Sequence, residues 1–492
     1  MARINTNIPS IIAQANLARS SSDLALRLQR LSTGLRINRG ADDPAGLIIS
    51  ERLRSEIQGL RQAVDNSERA SSVIATTEGY LAEVADLLIS IKGLVVEAAN
   101  TGGVSKEEIE ANQLQIDSAI ESITRISNTA SFAGLQLLNG SLGYVTSGVP
   151  TSALIGVDVL GAQFGNNSTV GVQVEVVSSA LTASLFLSGN TTGAAGQLLS
   201  SVNMEIVGNL GVQTFSFASA QTLSSVVNAI NTVKDSTGVS ASLVNASDQT
   251  SGLTFNSTQF GQDEFVSVRK LGQGGDFFAV HTVQNGTEVQ RDEGRDVTAI
   301  VNGSLAASTG LEVTLRTPSL SVELTLTSVY AQTTNSTKTF DITGGGAVFQ
   351  LGPTINATQQ VGIGIQSTAA SRLGGKVIND VQYFLDSIKT GQTNSLVAGQ
   401  AQRASQIIDA AINDVSELRG RLGAFERNTI QTNIRSIQVG LENITASESK
   451  IRDADFAAET AALTRAQILV QAGTSVLATA NLTAQNVLAL LG

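Results

Sequence analysis

Residues Leu463–Gly492 read LTRAQILVQAGTSVLATANLTAQNVLALLG. Taking every third and fourth position gives Ala466, Val470, Gly473, Leu477, Ala480, Ala484, Val487 and Leu491. All are small or apolar, and their 4-3-4-3-4-3-4 spacing lines them up as one narrow seam on a helix. The other faces carry Gln467, Gln471, Thr474, Thr479, Asn481 and Gln485, polar but uncharged. A lone helix would leave such a seam in water, so it calls for partner helices. Two partners fit. The bare Leu490-Leu491-Gly492 ending suggests neighbouring subunits, and the alternative is docking on the helix's own domain.

Outward from that seam, the whole chain has 492 residues, enough for about three or four domains. Charged residues make up 15%, against roughly 25% in ordinary globular proteins. Gly (46) is plentiful, Pro (5) scarce and Trp absent, which suits long helices and thin β modules better than large aromatic cores. A net charge of -11 argues against nucleic acid, whose binding needs basic density to release counterions. With no Cys there are no disulfides and no thiolate metal sites. The start, Met1-Ala2-Arg3-Ile4-Asn5, lacks a charged region followed by an apolar run, and nothing approaches the ~18 apolar residues of a membrane span. These features predict a protein that is either cytoplasmic or exported without a cleavable signal.

At the N-terminal end Ile4, Ile8, Ile11, Ala15 and Ala18 form a helical stripe, and Leu17, Leu24, Leu28, Leu31 and Leu35 continue it on a shifted face. Asn38-Arg39-Gly40-Ala41-Asp42-Asp43-Pro44 is a break: Gly40 permits a helix stop, Asp43 can cap the next helix, and Pro44 suits its first turn. The next helix holds heptad phase from Leu53 through Leu60, Ile74 and Leu81 to Leu88. After Thr101-Gly102-Gly103, Ser105 with Glu108 reads as a capping box opening a third helix through Ile109, Ile116, Ile120 and Ile123.

From about Ser141 alternation replaces helical phase, as in Val172-x-Val174-x-Val176, Leu311-x-Val313-x-Leu315 and Leu320-x-Val322-x-Leu324-x-Leu326. Turn signals such as Asn285-Gly286 and Asn302-Gly303 separate the runs, and one helix stands inside at Leu223, Val226, Val227 and Ile230. Helical phase is expected to resume near Val377. Ile408, Ala411, Val415, Leu418, Leu422 and Phe425 form one heptad run. After a slip of one residue, Ile430, Ile434, Ile437, Leu441, Ile444 and Ile451 form another. A continuous helix over 396–450 would be about 80 Å long. The break at Arg452-Asp453-Ala454-Asp455-Phe456 precedes the terminal seam. Each end carries an unburied stripe, so helices from the two termini must meet, with the middle looped out from them.

Several words in these helices carry a resemblance. They are Arg3-Ile4-Asn5-Thr6-Asn7, Leu31-Ser32-Thr33-Gly34-Leu35-Arg36-Ile37-Asn38, Ala41-Asp42-Asp43-Pro44-Ala45-Gly46-Leu47, Arg421-Leu422-Gly423-Ala424 with Asn428, Ile451-Arg452-Asp453-Ala454-Asp455-Phe456-Ala457, and Gln471–Ala478 continuing to Gln485–Leu488. In these the chain resembles bacterial flagellin, the filament subunit, over residues 1–140 and 375–492. Residues 204–270 also resemble an insert module found in flagellins and hook-associated proteins.

The resemblance implies a multidomain α+β fold whose N- and C-terminal heptad helices pair as a coiled-coil stem. Residues 1–44 and 451–492 would form an inner helical pair, 45–140 and 376–450 the two halves of a helical tube wall, and 141–375 a β-rich, surface-exposed insertion of one or two modules. It also implies many copies in a helical homopolymer, export in unfolded form through the flagellar type III system, and addition at the distal tip. The partners would be an export chaperone and the cap and hook-associated proteins. Subunit contacts would come from Ile4, Ile8, Ile11, Leu24, Leu28, Leu31, Leu35, Phe456, Val470, Leu477, Ala480, Ala484, Val487 and Leu491, with Arg30, Arg36, Asp42 and Asp43 taking an interface role. Unsatisfied seams at both termini would be disordered in the monomer and order on assembly.

Other readings fail on spacing. Asp42-Asp43 beside Pro44 suits capping rather than acid–base work. The single His281 has no HExxH spacing, no GK[ST] loop appears, and Gly272-Gln273-Gly274-Gly275 reads as a turn, so no catalytic residue, cofactor or metal is expected. Many flagellins are sensed by an innate immune receptor through a patch that falls here on residues 88–97. Ser90 stands where an arginine is typical and Gln115 roughly where a glutamate is, which implies weak activation. A hook–filament junction protein and a secreted adhesin using the β insertion are the rival readings.

Overall fold

The structure, a computed structural model, describes residues 6–489 apart from 166, 189–195, 276–277, 283–285 and 379; at 188 and 483–489 it describes the backbone alone. In chain order the helices are α1 (Ile8–Thr33), α2 (Pro44–Ala98), α3 (Lys106–Thr129), α4 (Leu223–Thr232), α5 (Lys234–Thr237), α6 (Ser328–Ala331), α7 (Ala401–Phe425), α8 (Gln431–Arg452) and α9 (Phe456–Ala489).

Their ends follow from local chemistry. The Asn7 side chain accepts the Ser10 N–H (3.1 Å) at the start of α1. α1 stops at Gly34, not at Gly40. Gly34 takes the left-handed conformation (φ 73°) that a side chain would disfavour, and its N–H returns to the Arg30 carbonyl. Leu35 therefore lies beyond the helix, in a β-bridge with Asp453. At α2 the expected cap is present: Asp43 Oδ1 accepts the Gly46 N–H at 2.9 Å, and Pro44 is the first helical residue. The Ser105/Glu108 capping box opens α3.

Helical structure does not resume at Val377. Residues Lys376–Ile378 and Val381–Tyr383 form a hairpin, a 3₁₀ turn follows at Leu385–Ile388, and α7 begins only at Ala401. The β-branched Ile378 faces Val381, and Val377 faces Gln382, across a turn in which Asp380 holds φ 60°, so a pattern of apolar residues shared by helix and strand is resolved as strand. The one-residue slip between Phe425 and Ile430 is a π-helical turn, Glu426–Ile430. An i→i+5 turn takes up one extra residue, so the helix continues into α8 with its apolar face brought back into line.

The chain forms two compact units. The first comprises Met1–Glu68, Leu351–Ile355 and Gln431–Gly492. Leu60 and Ala63 of α2 bury against Ile437 of α8, with Val64, Leu441 and Ile444 around them. The second unit comprises Arg69–Gln350 and Asn356–Ile430. Its helical part buries Ile74, Leu81, Leu88 and Ile91 of α2, Ile116, Ile120 and Ile123 of α3, and Ile408, Ala411, Val415 and Leu422 of α7. Ion pairing of Lys92 with Asp409 and a 2.6 Å hydrogen bond from Ser71 to Glu426 tie α2 to the α7 segment.

The β-rich part of this unit holds two antiparallel modules. In the first, one sheet runs Ser304–Leu305, Thr298–Val301, Val170–Ser178, Thr337–Gly345, Tyr144–Ser147. The other runs Ala307–Thr309, Glu312–Arg316, Leu320–Leu326, Leu154–Ala162. The alternating Val172, Val174, Val176 and Val322, Leu324, Leu326 point into their shared core. The second module is inserted within the first. Its sheets run Val280–His281, Ser184–Ser188, Asp248–Ser257, Val239–Asn245 and Arg291–Glu293, Phe265–Leu271, Val202–Gly208, Val212–Phe217. Phe255, Val266, Val268 and Met204 form its core with Leu223, Val226 and Ile230 of α4. Asn302 (φ 48°) and Gly303 (φ 78°) make the hairpin turn expected from their sequence.

Candidate subunit interface

In the first unit α1 and α9 lie antiparallel. Asn7 Nδ2 donates to the Ala480 carbonyl (3.0 Å) and Ser10 Oγ to Asn481 (2.8 Å), while at the far end Arg27 pairs with Glu459 (3.2 Å). Between these ties a Cβ placed on Gly473 would come 3.2 Å from Leu17 Cδ1, so the missing side chain lets α1 approach. Ala466 is 1% exposed, and Val470, Gly473, Leu477 and Ala480 are half-buried amid exposed neighbours. The 4-3 seam is thus the face α9 turns toward α1. Within one chain its partner is the N-terminal helix, the pairing of the two termini that the sequence led us to expect. Of the remaining seam residues, Leu491 lies outside the described residues, as do Ile4 and the side chains of Ala484 and Val487.

Arg27 and Glu459 form the ion pair of this packing; Glu459 is only 8% exposed, while Arg27 is half-buried. Burial disfavours the Arg27 charge, yet Glu459 and Asp23 more than offset it and hold the guanidinium above its usual pKa. Sequence reading missed this pair, since neither residue belongs to a motif.

Between the helices, the break is a knot of main-chain bonds. Arg36 N donates to the Arg452 carbonyl (2.7 Å), Arg36 Nη2 to the Ile451 carbonyl (2.5 Å), and Ala454 N to the Gly34 carbonyl (2.9 Å). Asp42 accepts the N–H groups of Arg39 (2.8 Å) and Asn38 (3.0 Å). Those two bonds, helped by the charges of Arg30 and Arg39, hold its carboxyl below the usual range. Arg36, Asp42 and Asp43 are therefore engaged inside the chain. Arg30 Nε is buried with no partner among the described residues.

What stays open is apolar. On α1, Ile8, Ile11 (57% exposed), Ile12 and Leu28 face outward, and Leu24 and Leu31 are half-buried. On α9, Phe456, Ile468 (62%), Leu469, Val476 and Leu482 do the same. Patches of this kind mark association surfaces. The sequence reading did not single out Ile12, Ile468, Leu469, Val476 and Leu482, although those on α9 lie one or two positions from the seam.

Elsewhere the expected sites hold no such geometry. In the receptor-patch segment Leu88, Ile91 and Val95 are buried, Lys92 pairs with Asp409, and Ile89, Ser90 and Val96 are exposed. His281 pairs with Phe186 in a two-residue strand and bridges to Glu288. No group of three or more His, Asp or Glu among the described residues could hold a metal, and no described helix is long and apolar enough to cross a membrane.

One electrostatic feature stands outside these expectations. Asp158 and Glu323 sit directly opposite on neighbouring strands, an arrangement that like charges disfavour. Arg316 pairs with Glu417 of α7 at 2.5 Å, and Asp414 accepts the Gly374 N–H at 2.8 Å. Burial, then Glu417, Glu312 and Asp158, push Glu323 up to about 7, against the pull of Arg316. Burial also raises Asp414, although its access to solvent along α7 screens part of the rise.

Residues 4–142 match the bacterial flagellin N-terminal helical region, 405–491 the C-terminal helical region, and 203–259 the flagellin hook IN motif. The B-type flagellin of Pseudomonas aeruginosa is 30% identical over 542 aligned residues covering 99% of each chain. The flagellin of Salmonella typhimurium is 29% identical over 513, again covering 99% of each. Among solved structures, FliC from Burkholderia pseudomallei is 15% identical and covers 74% of this chain and 99% of that one, at a TM-score of 0.25, too loose a superposition to bear on the fold. With relatives matched end to end, and both helical regions flanking a β-rich middle, the chain belongs to the bacterial flagellin family.

Proposed function

We propose that this chain builds the flagellar filament by a route in which the terminal helices complete their burial only on assembly. Its family makes it a structural subunit of the flagellar filament and a motility protein. The observation carrying the finer reading is the apolar surface left on α1 and α9 after they have packed on each other. Two helices side by side can bury one stripe each. Ile11, Ile12, Ile468, Leu469 and Val476 need further copies, and heterologous, non-closing contacts give a helical polymer.

In this reading residues 1–44 and 451–492 form the inner layer, 45–140 and 376–450 the tube wall, and 141–375 the outward face. The chain leaves the cell unfolded through the type III apparatus with an export chaperone, joins the filament at its distal tip beneath a cap, and meets hook-associated proteins at the base. Neither the adhesin nor the junction-protein alternative is favoured by the family match. Activation of an innate immune receptor is expected to be weak, because Ser90 brings no charge to the exposed side of the 88–97 segment; strong signalling at nanomolar protein in a receptor reporter assay would refute this.

The test is deletion of residues 150–365, with seeded growth followed by electron microscopy. Filaments should still form. A deletion protein that stays monomeric while remaining helical would show that the β modules, not the terminal helices, drive assembly.

A further inference from the structure

Among the described residues, the second β module closes three of its four sheet edges and leaves one open. At Val239–Asn245 the Asn231 side chain of α4 binds both main-chain groups of Ala241 (2.9 Å each), so that edge is capped. At Val280–His281 the chain returns through Glu288 and Val289, with Val289 N donating to the Val280 carbonyl. At Arg291–Glu293 the edge carries three charged residues; Arg291 lies over the Phe265 ring (3.8 Å) and Asp292 accepts the Ser184 N–H (2.7 Å). These are the usual ways of blunting an edge.

Val212–Phe217 has no such device among the described residues. Gly208 N donates to the Gly211 carbonyl across the turn, which makes 208/211 a hydrogen-bonded pair. The alternation then directs the main chain of Gln213, Phe215 and Phe217 toward Val202–Gly208, and that of Val212, Thr214 and Ser216 outward. Among the described residues the outward groups meet only the side-chain amide of Gln213, which reaches the Thr214 carbonyl at 3.3 Å. Val212 is 58% exposed, Thr214 and Ser216 are exposed, and Phe215 is half-buried, stacked on Phe217. The strand contains no Pro and no bulge, and from Ile206 to Val233 there is no charged residue at all.

We propose that this edge pairs, antiparallel, with the same strand of a second copy of this chain. A two-fold axis at Thr214 sets Val212 opposite Ser216 of the second copy and Thr214 opposite its own equivalent, so every outward N–H meets an outward carbonyl without a register slip. Charge selects the same occupant. Copies of a chain with net charge -11 repel one another over most of their surface, and an uncharged edge is where they can approach. Subunits of one polar helix are related by a screw operation and not by a two-fold. The contact therefore joins copies from two filaments lying side by side. In this it rests on the filament reading above.

The chain has no cysteine, so Thr214→Cys in the full-length protein carries a single thiol. Filaments of this variant are confirmed by electron microscopy, then treated with a short bis-maleimide from about 10 mM to about 1 M salt, over which the screening length falls from roughly 30 to roughly 3 Å. A cross-linked dimer should appear and grow with salt. It should be lost when Ser216→Lys is added, with filaments still forming, and should be absent from a Ser247→Cys control. Labelling of the Thr214→Cys thiol by a mono-maleimide with no dimer at any salt overturns the proposal. So does a dimer that survives Ser216→Lys, or capture of a different protein in its place. If no filaments form, the filament reading fails separately, and cross-linking of concentrated free chains still decides the pairing.

Discussion

The terminal helices and the second β module are both built from apolar residues, yet they leave that surface in opposite states. In the module, Leu185, Leu253, Phe255, Val266 and Val268 are fully buried, because two sheets and α4 close over a common core. In the terminal pair, Ala466 and Ala13 are buried while Ile11, Ile12, Ile468 and Val476 are not. A sheet offers one broad face, and a second sheet covers it. A helix apolar on two stripes needs more than one neighbour, and α1 supplies α9 with one. The contrast teaches that apolar surface stays open where apolar content exceeds what a single chain can cover, which is where the proposed assembly surface lies.

The sharpest way to break this contrast is to remove residues 463–492. Seeded polymerisation should cease altogether, while the thermal transition of the β modules by circular dichroism stays where it was. If filaments grow from the trimmed chain, the terminal helices are not the assembly surface. Phe255→Ala tests the other side. A large-to-small change in a closed core should cost about 3–5 kcal/mol of module stability in denaturant titrations and leave filament growth intact.

Gly473→Leu sharpens the terminal side. The added side chain meets Leu17, and overpacking of this kind costs about 1–3 kcal/mol, read as a raised critical concentration for assembly. Leu17→Ala in the same chain should restore growth; no rescue would mean that Gly473 acts elsewhere.

The smallest expected difference is in pH response. Glu323, raised to about 7, keeps its proton in the folded state and loses it in the unfolded chain above the ordinary glutamate range. Its contribution is therefore fully present below the unfolded pKa of 4.5 and is lost as pH rises through about 7. Asp42 and Glu51 in the terminal unit are lowered instead, by the Arg39 and Asn38 N–H groups and by Arg452, so their contribution is lost as pH falls through the folded values. Between about pH 5 and pH 8 the β modules should lose thermal stability with rising pH, and Glu323→Gln should flatten that slope. A slope unchanged in the variant would assign the pH dependence to other groups.

Much of this was legible in local pattern. The Ser105/Glu108 box, the Asp43-Pro44 start, the Asn302-Gly303 turn and the strands around Val174 and Val322 each rest on interactions spanning a few residues, and each appears where its spacing puts it. The misses also have local causes. Gly34 and Gly40 both offer a helix stop, and only the position of the left-handed residue separates them. Val377 and Ile378 suit either helix or strand, and the turn at Asp380 tipped them to strand. In the candidate interface, Ile8, Ile11 and Leu28 were read from the α1 stripe, whereas Ile468, Leu469 and Val476 were hidden behind the stronger seam beside them.

By itself the sequence determined that residues 463–489 form a helix, which face of it is apolar, and that one residue is in surplus between Phe425 and Ile430. Periodicity is a property of neighbours along the chain, so these needed nothing else. That the two terminal helices meet was also legible; only the tertiary structure decided that Gly473 of the seam lies against Leu17, that Arg27 meets Glu459, and that the surplus residue becomes a π turn. A seam states that it must be covered. What covers it depends on which distant helix can come close enough, and here the bare Cα of Gly473 leaves room for Leu17.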